Sequence, residues 1–367
     1  MSRKVVLLLG AGASVADVAT RPTISRPPLD KRFFRAACST QRPQVNQVAD
    51  YMRQTYELDI LEPDEDSLEG VMALLYPDLF NPSLRATAVV AFRSLLQMFT
   101  ARLATTTNNI PATQKRFLYR MLSRYLASGI APRDITIITF NQDLQVEKIL
   151  EALGQTHRWS TVADDLFCFP HLYSIDGWRT VSQPAGSPTV SEVFNEAPTA
   201  RSTMLCVLKL HGSLNWYSTH SSATPSPTAM FRPDRALSVT RRRTINPTMR
   251  WTSRSPSPAR QYALPVVVPP VTHKSAVLHN RLQAVWRLAE QRVESAEELV
   301  IFGYSCPALD FESSNMLRRT NNRRPAGART TIIDPDGHVA SRYIGLLAPS
   351  RLEYFASAKA FLAESAT

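Results

Sequence analysis

Cysteine is scarce in this chain. Four are spread over 367 residues (Cys38, Cys168, Cys206 and Cys306), and no C-x-x-C pair exists. That spacing excludes a zinc ribbon and argues against a disulfide framework. The histidines show no metal-ligand spacing, so no metal is expected. Long apolar runs are missing too. The nearest candidate, Ala88–Met98, is interrupted by Arg93 and falls short of the roughly 18 residues that span a bilayer. Lysine is also rare, with only seven among the 42 basic residues. Genomic base composition explains an arginine bias as well as bidentate phosphate chemistry does. Acidic residues number 31, leaving a net charge of +11. Such a balance points toward polyanionic partners but is silent on fold. With 44% hydrophobic residues the chain has material for a real core, which argues against wholesale disorder.

Arg3 and Lys4 precede the apolar run Val5–Leu9, which stops at Gly10-Ala11-Gly12-Ala13-Ser14. Five apolar residues are short for a signal peptide, whereas a buried parallel strand entering a glycine turn accounts for all of them. A cytoplasmic location is therefore expected. Helical periodicity dominates from about 30 to 130, with apolar residues at three- and four-residue spacing in Ser67–Leu75, Leu84–Ala104 and Lys115–Ala127. Further strands are expected at Ile135–Phe140, Leu205–Leu210, Pro265–Val268, Leu299–Phe302 and Thr330–Ile333. Helices are expected after Asp143, over Ala276–Ser295, near Phe311–Arg319, and over Glu353–Glu364. Strands alternating with helices imply a parallel, doubly wound sheet, whose ligands bind at the carboxyl ends of the strands.

Two stretches depart from that alternation. Leu166–Ala200 mixes aromatics, Pro and Gly, as in an irregular insertion or a small β excursion. The segment 220–262 is rich in Ser, Thr and Pro. It carries eight arginines against the single acid Asp234, or +7 of the +11, and is expected to be a flexible loop.

The polar residues at strand ends could carry chemistry. Gly10–Ser14 could cradle a pyrophosphate, although Val15 stands where a dinucleotide fingerprint has its third glycine, and a purely structural turn explains it equally. Asn141-Gln142-Asp143 either caps the following helix or presents two short polar groups to a ligand. His211, before Gly212-Ser213, is either a satisfied structural histidine or a general base.

Seven stretches, in order, are LLLGAGAS (7–14), SLEGVMALL (67–75), ITFNQD (138–143), LKLHGSLNWYS (208–218), VVVPPVTHK (266–274), LVIFGYSCPALD (299–310) and TIIDPDG (331–337). Taken together they resemble the sirtuin-like NAD-binding family, and particularly its divergent bacterial NAD-hydrolase branch, the antiphage-defence branch that lacks the zinc ribbon. The resemblance implies one Rossmann-like domain over 1–367 with a helical insertion at 30–130 and irregular loop insertions. It places NAD pyrophosphate on Gly10, Ala11, Gly12, Ala13 and Ser14, with Gly212 and Ser213 also on the cofactor side. It puts Asn141 and Asp143 beside the nicotinamide and its ribose, and makes His211 the base toward a ribose hydroxyl or water. Gly303, Tyr304 and Ser305 would meet the adenosine ribose and phosphates, and Asp334 the adenine ribose. Gln142 departs from the aliphatic or aromatic residue usual between the asparagine and aspartate.

The implied activity is hydrolysis of NAD+ to nicotinamide and ADP-ribose, with water as acceptor because the ribbon of the deacetylating members is missing. Such an effector would be silent until a separate sensor acts, an ATPase/translocase or an Argonaute-type protein, and would be a homo-oligomer. Two other readings stay open. One is a nucleic-acid-binding module using the basic loop and the Arg318, Arg319, Arg323, Arg324, Arg329 cluster. The other is an NAD-dependent protein deacylase.

Overall fold

Val5–Leu9 is apolar on both faces, which suits a strand covered by helices on either side. In the computed structural model it is the central strand, β1, with every residue buried. The structure describes residues 3–16, 33–62, 67–109, 116–156, 179–182, 189–192, 205–220, 236–240, 249–252, 261–268, 280–307 and 310–364.

On one side, β1 pairs in parallel with β2 (Ile135–Thr139), which pairs with β5 (Cys206–Lys209). On the other it pairs with β10 (Glu298–Phe302), followed outward by β11 (Arg329–Ile333) and β12 (Arg351–Phe355). The six-stranded order is β12-β11-β10-β1-β2-β5. The chain first winds away from β1 in one direction and then restarts beside it in the other. This is the Rossmann-like doubly wound arrangement, with its topological switch point between β1 and β10. Side chains such as Leu7, Leu8, Ile137, Val207 and Val300 are fully buried, each stabilising the fold by roughly 1.5–3 kcal/mol relative to exposure.

The helices between β1 and β2 have a core of their own. After α1 (Ala11–Ala16), α2 (Phe33–Tyr56), α3 (Leu68–Asp78) and α4 (Arg85–Asn109) pack Phe34, Val48, Met52, Met72, Leu75, Phe92, Leu95 and Met98 together. Ser67 caps α3 by accepting from the Gly70 amide at 3.0 Å. Helix α2 breaks at Gln41 (φ −140°), two residues ahead of Pro43, whose ring has no N–H to bond the carbonyl four residues back and clashes with it. The next helix, α5 (Phe117–Ala127), falls within the expected 30–130 insertion but joins the main core instead, through Leu118, Met121, Leu122 and Tyr125. The main sheet is also covered by α6 (Gln145–Thr156), α7 (Asn280–Glu294), α8 (Phe311–Asn321) and α9 (Gly337–Leu347).

Two expectations need correction. The segment 220–262 is not simply a flexible loop. Its described parts are β7 (Ala236–Thr240), β8 (Met249–Thr252) and the start of β9 (Gln261–Val267). With β3 (Arg179–Ser182), β4 (Thr189–Glu192) and β6 (Gly212–His220) they close a small barrel in the order β3-β4-β8-β9-β6-β7. The short Ala-Leu-Ser-Val-Thr and Met-Arg-Trp-Thr runs have β-forming residues, but Pro and Ser around them dominate the composition. Residues 221–235, 241–248 and 253–260 lie outside the described set. Second, Glu353–Glu364 is not one helix. Glu353, Tyr354 and Phe355 finish edge strand β12, and the last helix, α10 (Ala358–Glu364), begins only after them. A half-exposed edge strand shows no continuous apolar run, which is why its pattern could be taken for a helix face.

Among the described residues no helix is long and apolar enough to cross a membrane.

Candidate active site

The switch point decides what the glycines do. Gly10 donates to the Phe302 carbonyl at 3.1 Å and Gly12 to the Gly303 carbonyl at 2.9 Å, stitching the loop after β1 to the loop after β10. A Cβ on Gly10 would sit 2.5 Å from the Gly303 oxygen, and one on Gly12 2.8 Å from the Gly303 Cα. Gly303 itself has φ +60° and would place a Cβ 2.2 Å from the Ala13 nitrogen. All three positions therefore need glycine for loop-to-loop contact, whether or not a phosphate follows.

A buried polar network grows from this seam. Asn141 Nδ2 donates to the Gly10 carbonyl at 2.9 Å and to Ser14 Oγ at 3.1 Å. Ser14 Oγ in turn donates to Asp143 Oδ2 at 3.1 Å, and the Gln145 amide donates to Asp143 Oδ1 at 3.0 Å. Asn141, Asp143 and Ser14 are all buried. The capping reading of the Asn-Gln-Asp turn is thus realised, within a larger polar network. Asp143 holds the first turn of α6, and together with Ser14 it fixes Asn141. Since both amide hydrogens of Asn141 are committed to protein, its carbonyl oxygen is the group it can offer a ligand. Gln142 is a bracket: its Nε2 donates to the Val268 carbonyl at 3.1 Å, and its own main-chain carbonyl accepts from the Leu214 amide at 3.0 Å.

His211 sits in the short turn between β5 and β6, only 7% exposed. Its ring lies 5.2 Å from that of Phe140 and 6.1 Å from that of Trp286, whose indole N–H donates to the Leu210 carbonyl at 2.9 Å. On the other side of Phe140, Tyr304 stacks at 3.9 Å. An aromatic row thus links the ends of β5, β2 and β10. Gly212 has φ +77°, the left-handed turn that sends the chain from the sheet into β6, and the His211 carbonyl accepts from the Val268 amide at 2.8 Å. Ser213 is fully buried.

The loop after β10 reaches this seam through its backbone. The Tyr304 hydroxyl donates to Asp310 Oδ2 at 2.5 Å, and burial plus that carboxylate push the phenol far above its ordinary pKa. It stays protonated and turned into the core, bonded to Asp310. Ser305 is exposed, and its carbonyl accepts from Arg342 Nη1 at 2.5 Å. Asp334 stands one strand further out. Its Oδ1 accepts from the Asp336 amide at 3.0 Å, and burial raises its carboxyl above the ordinary value. The structure therefore brings together Gly10–Ser14, Asn141, Asp143, His211 and the Gly303–Tyr304 backbone, with Asp334 at the margin.

A buried ion pair beneath Asp143 escaped sequence reasoning. Lys209 and Glu147, 2.9 Å apart, both have fully buried side chains. The available signal was a lysine inside the apolar strand Leu205–Leu210. The arginine cluster, by contrast, is largely engaged. Arg319 binds Glu290 through two bonds at 2.7 and 2.9 Å, Arg323 meets Glu294 at 2.6 Å, and Arg329 meets Glu298 at 2.7 Å. Arg324 donates to Thr330 Oγ1 at 2.6 Å and to the Arg329 carbonyl at 2.8 Å. Among the described residues, no group of three or more His, Cys, Asp and Glu side chains could hold a metal ion.

No protein-family model and no curated protein matches this chain. Among solved structures, a point mutant of a Sir2 homologue in complex with ADP-ribose aligns with TM-score 0.40 and 13% identity, over 95% of this chain and 91% of that one. A Sir2–p53 peptide–NAD+ complex aligns with TM-score 0.37 and 11% identity, over 99% and 92%. At these scores the likenesses assign neither a family nor a chemistry to the chain.

Proposed function

We propose that this chain is an NAD+ hydrolase, cleaving NAD+ with water to nicotinamide, ADP-ribose and a proton. The observation that supports it most is the convergence of Ser14, Asn141, Asp143 and His211 on the carboxyl edge of the sheet beside the switch point. Doubly wound sheets take their ligands there. The residues suit a dinucleotide. The main chain of Gly10–Ser14 lies at the switch point where a pyrophosphate would sit, and the Asn141 carbonyl is an acceptor for a carboxamide N–H or a water.

Breaking the N-glycosidic bond moves its electron pair onto a pyridinium that already carries positive charge, so nicotinamide departs neutral without a general acid. Oxocarbenium character develops on the ribose. Asn141 orients the carboxamide or the water, Asp143 keeps that side chain in place and lends negative potential, and His211 takes a proton from water or a ribose hydroxyl. A positioned base of this kind contributes about 10²–10⁴-fold.

Uncontrolled NAD+ loss is lethal to a cell, which motivates the rest of the reading. The enzyme is an effector of bacterial antiphage defence, homo-oligomeric and held silent until a separate sensor of ATPase/translocase or Argonaute type engages it. The test is nicotinamide release by the purified chain, alone and with the proteins encoded beside it. His211→Ala should lower release per folded molecule by about 10²–10⁴-fold. Equal release by both proteins under activating conditions would remove His211 from the mechanism.

A further inference from the structure

Lys209 ends β5, two positions before His211, and no part of its side chain is exposed. The ammonium runs beneath the neighbouring strand end, where it donates to the main-chain carbonyl of Asp143 and pairs with Glu147 Oε1 at 2.9 Å. Glu147 lies four residues after Asp143, on the same face at the start of α6. Burying two opposite charges is costly, and apolar side chains of similar volume usually serve stability equally well or better. Stability alone therefore does not explain the pair, but its placement does. Asp143 is already held at one carboxylate oxygen by Ser14 and at the other by the Gln145 amide. Fixing its carbonyl as well removes the remaining freedom of the peptide to rotate about the Asn141–Asp143 turn.

We propose that Lys209 is a positioning residue. Clamped by Glu147, it locks the Asp143 carbonyl so that Asn141 and Asp143 face the same crevice as His211. The proposal rests on that crevice being the NAD+ site, and its test separates the two. The full chain is compared with the double variant Lys209→Met/Glu147→Leu, which removes both charges together. Melting temperature, amide hydrogen exchange of a peptide covering 141–146, and NAD+ titration are measured. The double variant should melt within a few degrees of wild type. Its Leu144 and Gln145 amides should exchange about tenfold faster, and NAD+ affinity or turnover should fall about 10- to 100-fold, as expected when reacting groups lose their alignment. Lys209→Gln/Glu147→Gln keeps a polar pair too short to reach the carbonyl and should show the same local loosening, which covers failure of the first variant to fold. A folded double variant with wild-type exchange across 141–146 overturns the proposal. Failure of wild type to bind NAD+ overturns the NAD+ reading, while exchange still judges Lys209.

Discussion

The two ends of the central sheet treat a buried carboxylate in opposite ways. At the amino end, Glu298 is fully buried and receives Arg3, Arg329 at 2.7 Å and the Tyr125 hydroxyl at 2.9 Å. At the carboxyl end, Asp143 receives a serine hydroxyl and a helix amide on its oxygens, while the nearby cation goes to its carbonyl instead. Glu298 is matched by cations that close it off. Asp143 is held in place while its negative charge is left uncancelled by a bonded cation. In the first arrangement the buried charge is compensated where it stands; in the second, on the proposed NAD+ hydrolase reading, it leaves a potential for a cationic pyridinium or a developing oxocarbenium.

The seam between the ends offers the largest effect. Gly303→Ala places a methyl group against the Ala13 nitrogen in a left-handed backbone, and a loss of about 4 kcal/mol or more, or a failure to fold, is expected. Gly327 also has positive φ (+77°) but nothing lies within 4 Å of its Cβ position. Gly327→Ala should cost only about 1 kcal/mol, and chemical denaturation of the two variants measures the contact term directly.

Removing Glu298 leaves Arg329 and Tyr125 without their shared acceptor. Glu298→Ala should lower stability by about 3 kcal/mol, while nicotinamide release per folded molecule stays close to wild type, since the change lies at the far end of the sheet. Asp143→Asn is the mirror experiment. Stability should shift by about 1 kcal/mol or less because the amide oxygen can still cap α6, yet turnover should fall about 10²-fold. If the stability and turnover effects of these two variants are interchanged, the contrast between the sheet ends is wrong.

The smallest effect belongs to the surface. The hydrogen-bonded Arg319 guanidinium holds the Glu290 carboxyl below its ordinary value of 4.5. A depressed folded pKa contributes stability above the unfolded value and loses it as pH falls through the folded one. Arg319→Ala should therefore cost about 0.5 kcal/mol near neutral pH, a difference that disappears in denaturation curves recorded well below pH 4.5.

Much of the candidate site was legible because its residues follow apolar strands, and a buried parallel strand announces itself as an unbroken run such as Val5–Leu9. The end of such a run is where polar side chains meet the crevice, so Gly10, Asn141 and His211 could be picked out one at a time. The direction of the Tyr304 hydroxyl was not legible, because a sequence position does not say where a side chain points; the stack on Phe140 and the bond to Asp310 turn it inward. Lys209 was passed over because lysine is normally a surface residue, and only the arrival of Glu147 from the next helix makes its burial tolerable.

By itself, the sequence determined the alternation of strands and helices, the glycine turn after β1 and the polar residues at the strand ends. These depend on local periodicity and on residue type. Tertiary structure alone decided that Gly10 and Gly12 are needed by the loop after β10, that Asp143 binds Ser14, that α5 belongs to the main core, and that the arginine-rich segment contributes strands to a closed barrel. Each of these depends on what a distant part of the chain brings within a few ångströms. The net charge of +11 changes meaning for the same reason: four arginines of the 318–329 cluster already have partners, a pairing set by packing and invisible in composition.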